Sequence, residues 1–208
     1  MDPRSLALLA ITDDLRDGTL GLVTRAAAAV RGGATMVQLR LKHASPRELV
    51  EVARALVATL PVPVIVNDRA DVALAAGAAG VHLGIDDLPV RAVRPFAPPG
   101  FIIGASFGSE EEREHAAGAD YVGIGPVWES SSKADAGAAI GLEGLARLLR
   151  LADGVPAVAI GGVTPETAGS AIRTGAAGVA VIRAVFGAAD PELAAAALRA
   201  AVERGRAP

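Results

Sequence analysis

The chain has 208 residues, 51% of them hydrophobic and 3% aromatic, with 24 glycines, 13 prolines and no cysteine; that rules out global disorder and requires a core of Ala, Val, Leu and Ile. Twenty Lys plus Arg against 23 Asp plus Glu leave a net charge of −3, which argues against a nucleic-acid partner. The lack of cysteine excludes disulfides, thiolate metal sites and Cys nucleophiles, and fits a reducing compartment, with the cytoplasm as the expected location.

Taken in order, short apolar runs alternate with amphipathic or Ala-rich stretches. The runs read as strands at 6–11, 35–40, 63–66, 79–83, 101–105, 120–124, 156–160 and 178–182. None approaches the roughly 20 residues of a membrane-spanning helix: Leu6 to Ile11 stops at Thr12-Asp13-Asp14, Val72 to Val81 stops at His82, and Gly175 to Ile182 stops at Arg183. Helix start signals open 46–60 at Ser45-Pro46-Arg47-Glu48, 109–117 at Ser109 with Glu110 to Glu112, and 165–174 at Thr164-Pro165-Glu166. Eight β-then-α units predict an α/β fold, a closed parallel (β/α)8 TIM barrel, as one domain over 1–208.

Strands buried on both faces should be continuously apolar, as Val62 to Val66 and Val155 to Ile160 are. A repeat favours closure over an open sheet. Gly33-Ala34, Gly77-Ala78, Gly118-Ala119 and Gly175-Ala176 each close a helix before an even-numbered strand, with the glycine as the expected cap. The longest stretch without a helix or strand period, Gly125 to Gly141, follows the sixth strand and so falls on the C-terminal face, where barrel active sites form.

Polar residues ending strands on that face are the functional candidates. Alternation in Gln38-Leu39-Arg40-Leu41-Lys42 points an amide and two cations to one side, a set suited to a polyphosphate or carboxylate. The third and fourth strands end in Asn67-Asp68-Arg69 and His82-Leu83-Gly84-Ile85-Asp86-Asp87. Asp68 with Asp87, or Asp86, would supply hard oxygen ligands for Mg2+; the competing reading makes Asp86 and Asp87 helix caps. His82 reads equally as a hydrogen-bonded residue of the barrel wall, and His43 and His115 as solvent-facing. Ser106 ends the fifth strand without a visible partner base. Ser130, Ser132 and Lys133 form an anion clamp in the long loop, and Gly161-Gly162 with Val181 and Ile182 offer backbone amides to a phosphate. The Ala-rich helices 70–79 and 191–203 are candidates for a homo-oligomer interface.

Together the motifs resemble the thiamine phosphate synthase family, from Ile11-Thr12-Asp13 to Ile182. The matching stretches are Gln38 to Lys42, Val66 to Arg69, Gly80 to Gly84 with Asp87, Gly104 to Ser106, Gly118 to Val127, Lys133, Ala159 to Gly162 and Gly178 to Ile182. The resemblance implies a transferase that joins hydroxymethylpyrimidine diphosphate to thiazole phosphate and releases pyrophosphate. It implies Mg2+ on Asp68 and Asp87, and the pyrimidine diphosphate on Gln38, Arg40, Lys42 and Asn67. It also implies contacts from Ser106, Ser130, Ser132 and Lys133 to the pyrimidine or phosphates, and the thiazole phosphate on Gly162 and the end of the last strand. The implied chemistry is dissociative: diphosphate leaves first and the thiazole nitrogen captures a methylene cation. Ile85, Gly108, Ser130, Ser132 and Arg183 depart from the family's usual residues, Arg183 beside the expected thiazole phosphate. A thiazole tautomerase is the competing enzyme reading, but such enzymes look to use a His where this chain has Pro126. A barrel that only binds a phosphorylated metabolite is the third.

Overall fold

A computed structural model describes residues 3–129 and 137–207. Its centre is a closed barrel of eight parallel strands, all among the described residues, each paired with its sequence neighbours and the last with the first. They are β1 (Leu8–Ile11), β2 (Met36–Leu39), β3 (Val64–Asn67), β4 (Gly80–Leu83), β5 (Ile102–Ser106), β6 (Tyr121–Ile124), β7 (Ala157–Ile160) and β8 (Gly178–Val181). Each expected strand is present within two residues at either end. Leu6 falls instead in a 3-10 turn (Pro3–Leu6), where its fully buried side chain packs with Leu9, Met36 and Tyr121 inside the barrel.

The period of two in each strand sorts side chains into two cores. Leu9, Ile11, Met36, Ile65, Tyr121, Val158 and Ala180 fill the barrel. Leu8, Ala10, Val37, Leu39, Val64, Val66 and their counterparts pack outward against the helices. The helices are α1 (Gly18–Arg31), α2 (Pro46–Thr59), α3 (Ala70–Ala76), α4 (Val90–Val93), α5 (Arg113–Ala116), α6 (Gly141–Leu151), α7 (Pro165–Arg173), α8 (Arg183–Phe186) and α9 (Pro191–Arg206). In α2, Ser45 accepts a hydrogen bond from the Glu48 amide at 3.2 Å and Pro46 occupies the first turn, as its start signal predicts. Thr164 and Thr167 form a reciprocal capping box at α7.

The helix expected over 109–117 is reduced to the single turn of α5. The Glu112 side chain turns back to accept from the Gly108 amide at 2.8 Å, which ties this stretch to the end of β5. His115 is also not simply solvent-facing, because its Nε2 is buried and has no hydrogen-bond partner among the described residues.

The four repeated glycines adopt left-handed backbone, with φ of 108°, 68°, 84° and 114° at Gly33, Gly77, Gly118 and Gly175. At three of them the following Ala amide reaches back five residues, Ala34 to Ala29, Ala78 to Ala73 and Ala176 to Ala171, in the helix-ending pattern expected of such a glycine. At the fourth, where α5 is short, the Ala119 amide instead reaches back three residues to Ala116.

The apolar face of α9 is used within the chain. Ala195, Leu198, Ala201 and Val202 are buried, and Gly205 lies so near Gly169 of α7 that a β-carbon on it would sit 2.8 Å from the Gly169 carbonyl oxygen. That face is therefore not a free oligomer surface. Among the described residues, no helix is long and apolar enough to cross a membrane.

Candidate active site

At the C-terminal end of the barrel lies a cavity of about 840 Å³. Its lining brings together Arg40, Lys42, Asn67, Asp68, His82, Asp87, Ser106, Gly162, Val181 and Ile182, ten of the fourteen expected site residues. Gln38 sits one layer lower: it is 2% exposed and lines a small cavity of about 30 Å³ beneath the large one, with Arg40, Asn67, His82 and Ser106. Ser130, Ser132 and Lys133 lie outside the described residues.

The strands explain this convergence. Gln38 and Arg40 continue the inward parity of Met36, and Asn67, His82 and Ser106 hold the same parity on β3, β4 and β5. Thr12 braces Arg40 from both sides: its hydroxyl accepts from the Arg40 amide at 2.8 Å and donates to the Arg40 carbonyl at 3.2 Å. Thr12 is wholly buried; the sequence marked it as the end of an apolar run and the opening of the family resemblance, with no sign of this bracing role.

Asp68 and Asp87 lie beyond the strand ends, where parity no longer governs. Asp68 adopts a left-handed φ of 65°, held by its amide donating to the His82 carbonyl at 2.8 Å. For a non-glycine residue this is a strained conformation of the kind that collects at functional sites. Asp87 is not a helix cap, because α4 begins after Pro89 with no side-chain cap; instead its Oδ2 accepts from the Gly84 amide at 2.6 Å. A β-carbon placed on Gly84 would be 3.1 Å from that oxygen and 4.0 Å from Asp68 Oδ1, so the two carboxylates flank one point. Asp86 lines the same cavity.

His82 combines the two roles left open for it. Its Nδ1 lies 3.0 Å from the Tyr121 hydroxyl and its Nε2 3.3 Å from Ser106 Oγ, while the ring also faces the cavity. Tyr121 is fully buried, and burial pushes its hydroxyl well above the usual tyrosine range against a smaller opposing effect of its hydrogen bond with Gln38. The ring has room because Gly104, its register partner on β5, carries no side chain; any β-carbon there would overlap Tyr121. The signal available in the sequence was a single tyrosine at an inward position of a chain with 3% aromatics.

Across the cavity, Gly161 and Gly162 have φ of 90° and 65°. A β-carbon on Gly162 would lie 2.6 Å from the Glu129 carbonyl oxygen and 2.7 Å from Trp128 Cβ, so the main chain there is bare for reasons of both conformation and space. The start of the long loop is tied to this region: the Val127 and Trp128 amides donate to the Ile160 and Gly161 carbonyls at 2.9 and 3.0 Å.

These features define a (β/α)8 barrel whose C-terminal face, where barrel enzymes carry their active sites, has cations and carboxylates on one side and bare glycine main chain on the other. The model of the family described as thiamine monophosphate synthase matches residues 8–185, and the chain belongs to that family. The chain is 47% identical over 203 residues to a thiamine-phosphate synthase of Moorella thermoacetica, covering 94% of this chain and 95% of that one. It is 46% identical over 209 residues to one from Xanthobacter autotrophicus, covering 98% and 99%. A solved structure, thiamine phosphate pyrophosphorylase from Pyrococcus furiosus, superposes with a TM-score of 0.85 at 39% identity over 99% of both chains.

Proposed function

We propose that this chain is a thiamine-phosphate synthase, a transferase that joins hydroxymethylpyrimidine diphosphate to thiazole phosphate. The observation that carries the reading is the convergence of Arg40, Lys42, Asp68 and Asp87 on one cavity whose opposite wall is the Gly161-Gly162 turn. One anion would rest on side-chain cations and the other on backbone amides. In this reading the two phosphorylated substrates would meet in the cavity of about 840 Å³.

In the reaction the bond between the pyrimidine methylene carbon and the diphosphate oxygen breaks, and its electron pair leaves with pyrophosphate. The thiazole nitrogen then donates its lone pair to the methylene carbon. Arg40 and Lys42 hold the diphosphate, Arg40 able to form a bidentate contact and Lys42 acting as a point charge. Their charge is most effective on the departing group, where negative charge accumulates, and no nucleophilic residue is required. Ser106, oriented by His82, contacts the pyrimidine, and Asn67 holds its diphosphate. Gly162, Val181 and Ile182 receive the thiazole phosphate. Ser130, Ser132 and Lys133 complete the diphosphate clamp in this reading.

The donor set fits Mg2+. Two carboxylates facing one point are hard oxygen ligands, and among the described residues no group of three or more His, Asp or Glu forms a complete protein cage. Asp68 and Asp87 would therefore hold the ion together with substrate oxygens, as is usual for this small octahedral cation. When bound, Mg2+ supplies charge neutralisation to the leaving diphosphate.

A proton-transfer reading fits less well. Pro126 lines the cavity where that reading requires a His, and it has nothing to titrate. The test is direct: purified protein incubated with both substrates and Mg2+ should release one pyrophosphate per thiamine phosphate formed. Isomerisation of a thiazole phosphate without pyrophosphate release would overturn the assignment.

A further inference from the structure

Beside the thiazole-phosphate end of the cavity lies a charged network that neither the barrel nor the proposed chemistry has used. It joins the β1–α1 connection to α8. Arg25 of α1 donates from Nη1 to Asp13 Oδ1 at 2.9 Å and from Nη2 to the Asp14 carbonyl at 3.0 Å. The same guanidinium lies over the Phe186 ring, 5.8 Å from its centre, and reaches the Phe186 carbonyl at 3.5 Å. Arg16 donates to that carbonyl at 2.5 Å and pairs with Asp13 at 3.2 Å.

Two features separate this network from an ordinary surface ion pair. The Arg25 and Asp13 side chains are only 13% and 16% exposed, so two charges have been taken largely out of water, a cost an apolar pair would avoid. Its target is also specific. Phe186 is the last residue of α8, which is a single turn long: its amide bonds to the Ile182 carbonyl at 2.9 Å, and the Gly187 amide to the Arg183 carbonyl at 3.0 Å. Ile182, Arg183, Ala184 and Gly187 all line the large cavity. Fixing the Phe186 carbonyl and ring thus fixes, within one helical turn, the main chain that faces the second substrate.

We propose that Arg25, held by Asp13, is a positioning residue for the phosphate of the thiazole substrate, acting through α8 and touching neither substrate. The inference rests on the proposed synthase reading for the identity of that phosphate, but its geometry is independent of it. Arg25 sits at the α8 side of the cavity, whereas Arg40, Lys42, Asp68 and Asp87 line the other side.

Steady-state kinetics of Arg25→Met and Arg25→Lys, with inorganic phosphate titrated calorimetrically into each, test it. Arg25→Met should raise the KM for thiazole phosphate by about tenfold or more, with the KM for the pyrimidine diphosphate unchanged and kcat within about threefold, because a misplaced binding surface weakens one substrate's contacts. Phosphate affinity should fall by a similar factor. Arg25→Lys, which keeps the charge and loses the fork, should recover part of the loss. A lower melting temperature with both KM values and phosphate affinity unchanged would overturn the proposal, as would an equal rise in both KM values. If Arg25→Met does not fold, Asp13→Asn must show the same split or the proposal falls. If the wild type forms no thiamine phosphate, the synthase reading fails alone and phosphate affinity decides: equal affinity in wild type and variants, or none in the wild type, overturns the positioning role.

Discussion

On the β2–β4 side the cavity presents side chains: Arg40, Lys42, Asn67, Asp68 and Asp87. On the β7–β8 side it presents the Gly161-Gly162 turn in left-handed conformation, with Val181 to Ala184, including the cation Arg183, beside it. Under the proposed function, this contrast would let one barrel rim serve two anions of different fate. In the proposed reaction the group that leaves with growing charge would meet side-chain charges, and the group that is merely held would meet chiefly the fixed dipoles of the main chain. The first side should govern kcat and the second KM.

The largest effect should come from the first side. Asp68→Asn or Asp87→Asn is expected to lower kcat by about 10³-fold, in line with losses of a transition-state charge contact, with the melting temperature little changed; steady-state rates across a Mg2+ titration check it. On the second side, Gly162→Ala places a β-carbon 2.6 Å from the Glu129 carbonyl oxygen at a φ of 65°. It should raise the KM for thiazole phosphate by roughly 10- to 100-fold while sparing the pyrimidine diphosphate, and cost about 1–3 kcal/mol of stability. A comparable fall in kcat from Gly162→Ala, or an effect of Asp68→Asn confined to KM, would break the division.

Beneath both sides, Tyr121 supplies a third prediction. Burial raises its folded-state pKa, so the folded chain keeps a proton that the unfolded chain releases near pH 10. The stability linked to this proton is fully present below that pH and declines above it, by up to about 1.4 kcal/mol per pH unit. Urea unfolding at pH 8 and pH 10.5 should show a steeper decline for wild type than for Tyr121→Phe. The smallest effect belongs to a residue remote from the cavity: Arg47→Ala breaks a 3.7 Å contact with Glu51 between well-exposed side chains and should shift stability by no more than about 0.5 kcal/mol. Any KM change there would show that the two sides are not insulated from the outer helices.

The same contrast explains what could be read from the chain alone. The eight strands were legible because their apolar runs are continuous, and Gln38, Arg40, Asn67, His82 and Ser106 because inward parity carries from the core to the rim. The Gly-Ala repeats announced helix ends because few residues other than glycine accept φ values of 68° to 114°. What depended on long-range contact was not legible. Thr12 supports Arg40 across the β1–β2 pair, Tyr121 supports His82 across the barrel, and Arg25 meets Phe186 from 161 residues away. The run Glu110 to Glu112 looked helical, yet a local competitor, the Glu112 side chain accepting from the Gly108 amide four residues earlier, goes with a helix of one turn.

The pairing of Gly104 with Tyr121 has a consequence of its own. The two residues face each other in register on β5 and β6, and the ring occupies the space that a side chain on Gly104 would need. They behave as a single packet of volume divided unequally between neighbouring strands. Bulk added at 104 has to be surrendered at 121, so Gly104→Val should fail alone and regain a folded barrel when combined with Tyr121→Val. The exchange would leave the strands closed but would remove the hydroxyl beneath His82, separating the volume that closes the barrel from the polar contact that orients its floor.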